Sequence, residues 1–256
     1  MIRALIFDFN GVLADDDPIH MKAFREVAQE EGLSFTDDEY RDKYLPLNDR
    51  DCFTSLYRER SRPLTAEKLD ELIRRKGVRY FRAIAEKDVL FPKTRDAVKA
   101  AADRCLLAIA SGARREEILH ILKLGGLETC FAAIVAAEDV ESGKPHPEPF
   151  SRAHQKLRET HPSLTVAECV AVEDSIGGIQ SAHNAGMRCL AVAHSYEADR
   201  LQTARPEWII DTIAAFVSGL RRKFQIERSI TQDVSATGNS TRRRHSARGN
   251  RPHHRL

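Results

Sequence analysis

Four short segments end an apolar run on a residue that can do chemistry. In Leu5-Ile6-Phe7-Asp8-Phe9-Asn10-Gly11 a carboxylate closes the run and a glycine three residues later permits a sharp turn. Ligands of open α/β sheets bind beyond the carboxyl ends of strands, so Asp8 is a candidate to project into such a crevice; the plainer reading is an acid that caps a loop. Ile109-Ala110-Ser111-Gly112 ends on a small polar residue and a glycine just before a helical pattern, where free backbone N–H groups suit a phosphate, although Ser-Gly is also a common turn. Ser142-Gly143-Lys144-Pro145-His146-Pro147 holds one lysine in a stiff frame, a point charge for an anion if it is not simply solvated. Val170-Ala171-Val172-Glu173-Asp174-Ser175 ends on two adjacent carboxylates. These repel unless a lysine or a hard divalent cation compensates them, or unless they serve as a helix cap.

The elements that must position these residues read as an α/β chain. Apolar runs at Ala4–Phe9, Leu106–Ala110, Ala133–Ala136, Cys169–Val172, Cys189–Ala193 and Trp208–Ile210 are candidate strands, several apolar throughout, as parallel strands covered on both faces are. Helical patterns at 113–124, 148–158 and 176–185 separate them, the first and last ending at Gly125 and Gly186. Strand and helix alternating in this way predict a doubly wound, Rossmann-like parallel sheet. The alternation breaks at about 16–91, which contains helical patterns and almost no strand: Asp17-Pro18 reads as an N-cap with proline at the first helical position, and a second helix starts near Thr65. A structureless loop of that length is improbable, so the segment is expected to be a small all-helical domain mounted on the first strand. The expected organisation is 1–15 with 92–220 as the α/β core, 16–91 as the helical insert and 221–256 as a tail.

Composition narrows the class. The 256 residues are 42% hydrophobic and 30% charged, ordinary for a globular protein. The five cysteines are scattered, without C-x-x-C pairs, which argues against a disulfide framework or zinc site and for a reducing compartment. No apolar run approaches the ~20 residues of a membrane span, and the N-terminus does not read as a signal peptide. The net charge of +2 is uneven: residues 221–256 hold ten Arg or Lys against Glu227 and Asp233, leaving an acidic body. That tail has too little apolar surface to order itself, and no aromatic residue follows Phe224 to stack on bases, so a dedicated nucleic-acid partner is not expected.

The order Asp-x-Asn-Gly, Ser-Gly, Lys-Pro, Glu-Asp, each at a strand end, resembles the haloacid dehalogenase superfamily over about residues 2–215. The helical insert after the first motif is similar to the cap of its beta-phosphoglucomutase and phosphoglycolate phosphatase-like branch. The resemblance implies a cytoplasmic, magnesium-dependent phosphohydrolase acting on a small phosphorylated metabolite. It makes Asp8 the nucleophile that accepts the phosphoryl group as an aspartyl-phosphate. Magnesium would be held by Asp8, the backbone carbonyl of Asn10, Asp174 and Glu173, the last two directly or through water. Ser111 and Gly112 would hold phosphate oxygens, and Lys144 would bridge nucleophile and phosphate. Arg50 and His20, in the insert, are candidate substrate contacts, with Arg41, Lys43 and Lys76 as further cations within reach.

One position departs from the pattern. Family phosphatases and mutases carry a second aspartate where this chain has Asn10; that carboxyl protonates the leaving alcohol and then deprotonates water. Asparagine cannot exchange a proton, a handicap of ~10²–10⁴-fold on a poor leaving group. Three explanations stand open: substrates whose leaving group needs little protonation, such as acyl or aryl phosphates; a borrowed acid, with Asp15, Asp16 or His20 nearby; or a protein that chiefly binds a phosphorylated ligand. A sugar-phosphate mutase fits less well, because Leu45-Pro46-Leu47-Asn48-Asp49-Arg50 lacks the glycine of the mutase loop. A Schiff-base role for Lys22 is weaker still.

Overall fold

A computed structural model describes residues 1–219, Pro46, Glu86 and the side chains of 217–219 apart. The basic stretch 221–256, read above as a disordered tail, lies outside the described residues. Six parallel strands run β1 (Ala4–Phe7), β2 (Leu106–Ala110), β3 (Ala133–Val135), β4 (Cys169–Glu173), β5 (Arg188–Val192) and β6 (Trp208–Ile210). Their order across the sheet is β3-β2-β1-β4-β5-β6, the doubly wound arrangement expected. The chain leaves β1 toward β2 on one side and β4 on the other, so the switch point where ligands bind lies at the end of β1. Register then gathers the motifs. Phe7 pairs with both Ile109 and Val172, which sets Asp8 beside the ends of β2 and β4.

Side-chain size sorts the two faces. Leu5, Phe7, Leu107, Ile109, Val170 and Val172 fill one face and pack with α5 (Thr94–Ala102), α6 (Arg115–Gly125) and α10 (Ile213–Gly219). Ala4, Ile6, Ala108, Ala110, Ala171 and Ala191 line the other, and their small size lets α7 (Glu148–Thr160) and α8 (Ile176–Asn184) settle close to the sheet. All of these strand residues are buried, as a parallel sheet covered on both faces requires.

Between β1 and β2 lies a helical layer: α1 (Asp17–Glu30), the short α2 (Asp37–Glu39) continued by a π-helical turn Tyr40–Tyr44, α3 (Asp49–Glu59) and α4 (Ala66–Ile84). It has its own core, built around Phe24, whose ring lies 4.7 Å from Phe53 and 5.0 Å from Phe35. The helix expected from Thr65 starts there, with the Thr65 side chain accepting from the Lys68 N–H. The other N-terminus is shifted: Asp16, not Asp17, occupies the N-cap of α1, and its side chain makes no capping bond. Paired segments join layer and sheet, Asp15 N–H donating to Val89 O and Phe91 N–H to Leu13 O. A surface contact adds Arg200 to Asp42 at 3.2 Å, both half exposed, worth only about 0–1 kcal/mol. The short helix α9 (Ala198–Gln202) carries that arginine.

Candidate active site

Asp8 leaves the end of β1 with its N–H on Val172 O, and Gly11 then takes φ +74°, a conformation in which a side chain is strained. There is no room for one either: a Cβ on Gly11 would stand 2.1 Å from an Asp174 carboxylate oxygen. The turn is held from behind by His194, which stacks on Phe91 at 3.9 Å and meets Gly11 O through Nδ1 at 2.9 Å. Because the Ile213 N–H points at His194 Nε2, the ring proton belongs on Nδ1. Burial lowers the His194 pKa and favours this neutral form.

Lys144 reaches the same point from the loop before α7. Its ammonium lies 2.8 Å from Asp8 Oδ1 and 2.6 Å from Glu173 Oε1. Glu173, fully buried, uses its other oxygen as an acceptor for the N–H groups of Asp174 and Ser175 and for the Ser175 hydroxyl, all within 3.0 Å. Both of its oxygens are therefore engaged, which leaves Asp174 the freer carboxylate of the pair. Burial raises Asp8 to about 6, with the Lys144 charge opposing and Glu173 adding to the rise. Burial, and then Glu173 and Asp8, push Asp174 well above the usual carboxylate range. Burial alone would lower Lys144, but Asp8 and Glu173 outweigh it and hold the lysine firmly charged.

The cradle for Glu173 depends on a missing side chain. A Cβ at Gly178, in the first turn of α8, would lie 1.8 Å from the Glu173 carboxylate. Gly178→Ala must push that carboxylate off Lys144, so it is expected to lower turnover at least tenfold and stability by about 1–3 kcal/mol. Thermal unfolding and phosphate-release assays on the variant check both.

Asp8, Asn10, His20, Arg50, Ser111, Gly112, Lys144 and Asp174 all line one cavity of about 620 Å³ between the strand ends and the helical layer. Ser111 is buried, with its hydroxyl accepting from the Ala113 N–H. Arg50 faces the cavity but pairs with Asp70 at 2.8 Å on an exposed rim. Arg41 and Lys43, considered above as substrate contacts, do not reach it: they are occupied by Asp38 and by Glu59. Lys76 is fully buried in the wall, paired with Asp49 at 2.8 Å and in contact with His20 Nδ1. Asp49 and Tyr80 were not read as site residues in the sequence, and Asp17 was read only as a helix cap. Tyr80, on the buried face of α4, donates its hydroxyl to Asp16. Asp17 lines the cavity with Ser195 Oγ at 3.3 Å, and burial followed by the Asp16 charge raises it to about 7.

Comparison with known proteins agrees with this geometry. Residues 2–186 match the haloacid dehalogenase-like hydrolases. A phosphorylated carbohydrates phosphatase from Thermotoga maritima is 27% identical over 221 residues, 83% of this chain and 98% of that protein. Protein CbbY from Rhodobacter capsulatus is 30% identical over 224 residues, 84% of this chain and 95% of that one. A crystal structure of a mutant CbbY from Rhodobacter sphaeroides, in complex with xylulose-1,5-bisphosphate, superposes with a TM-score of 0.72 at 25% identity, covering 84% of this chain and 96% of that chain. A family match over most of the chain, on a sheet that brings the four motifs to one cavity, places the protein among the haloacid dehalogenase-like hydrolases, as a phosphatase-type enzyme.

Proposed function

We propose that the protein is a magnesium-dependent phosphohydrolase of a small phosphorylated metabolite, with the helical layer serving as a cap over the cavity. The observation that carries this reading is the cluster of Asp8, Lys144 and Asp174 in the cavity wall, with the buried Glu173 on Lys144. Asp8 attacks phosphorus: its oxygen bonds to phosphorus as the bond to the leaving oxygen breaks, and the leaving group departs with the electron pair. Water then attacks phosphorus, the bond from phosphorus to the Asp8 oxygen breaks, Asp8 recovers its carboxylate, and the water's proton goes to the released phosphate or to solvent. Ser111 and the N–H groups around Gly112 hold the phosphoryl oxygens, while Lys144 offsets charge on nucleophile and phosphate. Catalysis of this kind is largely positioning and charge neutralisation.

The residues fit a divalent cation. Asp8, Glu173 and Asp174 offer carboxylate oxygens within 4.8 Å of one another, and Lys144 is the cation that meets two of them. Among the described residues, the Lys144 ammonium at 2.8 Å is the group that meets the buried Asp8 Oδ1. Oxygen donors of this kind suit magnesium. Asp8, Asp174 and the Asn10 backbone carbonyl would hold it, with Glu173 acting through water because its own oxygens are engaged. When bound it supplies positive charge against the phosphoryl group.

The relatives place sugar phosphates among the substrates to try, beside acyl and aryl phosphates. A cytosolic location suits five unpaired cysteines, four of them buried, and no helix among the described residues is long and apolar enough to cross a membrane. Magnesium-dependent phosphate release, measured on aryl, acyl and sugar phosphates, tests the proposal. Turnover that a chelator abolishes and added magnesium restores is the expected result. Phosphate binding without turnover on any of them would instead make the cavity a ligand-binding site.

A further inference from the structure

Asp16 stands at the N-cap of α1, where an aspartate ordinarily accepts from the free N–H groups of its own helix. Here it makes no such bond. It is fully buried, and its two oxygens take the Asn10 amide at 2.9 and 2.8 Å. The Tyr80 hydroxyl donates to it as well, and His20 Nε2 lies 3.3 Å away. Only the NH₂ end of Asn10 can face two carboxylate oxygens, so the amide orientation is decided. Lys76 meets the other ring nitrogen of His20, which leaves Nε2 as the ring atom that faces Asp16. Asn10 lines the cavity and Asp16 does not. With its amide nitrogen turned onto Asp16 behind it, Asn10 keeps its side-chain carbonyl oxygen for the cavity, and no described residue donates to that oxygen.

We propose that Asn10 and Asp16 form one unit, in which Asp16 is the positioning residue that holds the Asn10 carbonyl oxygen toward the substrate and thereby selects phosphoryl donors whose leaving group departs without a proton. The inference deepens the proposed phosphohydrolase and rests on it. An acceptor oxygen can orient the attacking water but cannot give a proton to a departing alkoxide. Acyl phosphates, phosphoanhydrides and aryl phosphates of acidic phenols leave unaided; alkyl phosphates do not. The arrangement also determines what restoring a carboxylate at position 10 would do. Asn10→Asp by itself would set two carboxylates against each other at hydrogen-bond distance in a buried site, a costly arrangement unless one takes up a proton. Exchange of both residues, Asn10→Asp with Asp16→Asn, keeps one amide and one carboxylate in contact and moves the acid to the cavity wall.

The test uses the full chain in four forms: wild type, Asn10→Asp, Asp16→Asn and the exchange variant. Peptide mass spectrometry first verifies the residue at position 10, because Asn-Gly pairs can deamidate. Two measurements follow: thermal unfolding, and kcat/KM with magnesium against leaving-group pKa, from nitrophenyl phosphate through phenyl phosphate to sugar phosphates. Asn10→Asp alone is expected to lower Tm by roughly 5–10 °C, and Asp16→Asn in the same chain to return most of that loss. Wild type should show a steep fall in kcat/KM with leaving-group pKa. The exchange variant should flatten that dependence and gain roughly 10-fold or more on sugar phosphates, within the ~10²–10⁴ an acid–base group supplies. Asp16→Asn alone should lower kcat on aryl phosphates with little change in KM. A fully active Asn10→Asp single variant, or additive Tm effects with an unchanged leaving-group dependence, overturns the pair. Absence of turnover in all four forms overturns the phosphohydrolase reading, while the Tm coupling still decides whether the two residues act together.

Discussion

Asp8→Asn is expected to remove phosphate release altogether, by roughly 10³-fold or more, with the fold intact. The amide has the carboxylate's shape but cannot attack phosphorus, and the described groups beside it do not replace it: Glu173 has both oxygens engaged and Asp174 belongs to the cation cluster. Stability should move the other way. In the wild type, burial and the neighbouring Glu173 charge raise Asp8 to about 6, a sign that its ionised form is held at a cost. Removing that charge leaves Lys144 paired with Glu173 at 2.6 Å and relieves repulsion on Asp174. Thermal unfolding in chelator should therefore show a Tm equal to or above wild type, the usual trade between stability and a charged catalytic site. Magnesium should stabilise the variant less than it stabilises wild type, because one of three carboxylates is gone. Turnover within tenfold of wild type would mean that Asp8 is not the nucleophile.

The elements carrying Asp8, Ser111 and Glu173 were legible because each strand is a continuous apolar run, the form imposed by burial on both faces. The ends were less legible: the first run was drawn through Phe9, whereas pairing stops at Phe7 and Asp8 already belongs to the turn. Of the helices that the pattern did not show, two are instructive. α3 places Cys52, Phe53, Leu56 and Tyr57 inward at helical spacing behind an Asn48 cap, but its many charges obscured the pattern. α5 is largely alanine, and its apolar face is too slight to stand out. The polar wall of the cavity was hidden for a different reason. Lys76 looks like one more charge on a basic helix, and only its meeting with Asp49 and His20, distant in sequence, makes it a buried residue. Asp16 was named as a nearby acid, but Asp17-Pro18 suggested the wrong cap, and the Asp16–Asn10 contact depends on a turn that no local pattern reports. Periodicity reveals what faces a core; it does not reveal which buried polar groups meet one another.

Lys144→Met should cost both stability and turnover, unlike the change at Asp8. The ammonium is buried between Asp8 and Glu173 and also sits 5.1 Å from the centre of the Phe150 ring. Methionine fills a similar volume but returns no charge. Glu173 keeps three donors on one oxygen and loses the partner of the other, while Asp8 Oδ1 has no second group to turn to. Breaking a buried ion pair from one side costs about 3–5 kcal/mol. For a chain of this size that is a fall in Tm of roughly 6–20 °C, measurable by calorimetry in chelator. Turnover should fall by roughly 10³-fold or more, since the phosphoryl group loses the cation fixed against it. A second substitution separates the two losses. Glu173→Gln in the Lys144→Met background removes the stranded buried charge, so it should recover part of the Tm without recovering activity. If the double variant regains turnover as well, Lys144 serves only to neutralise Glu173. If neither property falls in the single variant, the lysine is not the charge on which the three carboxylates depend.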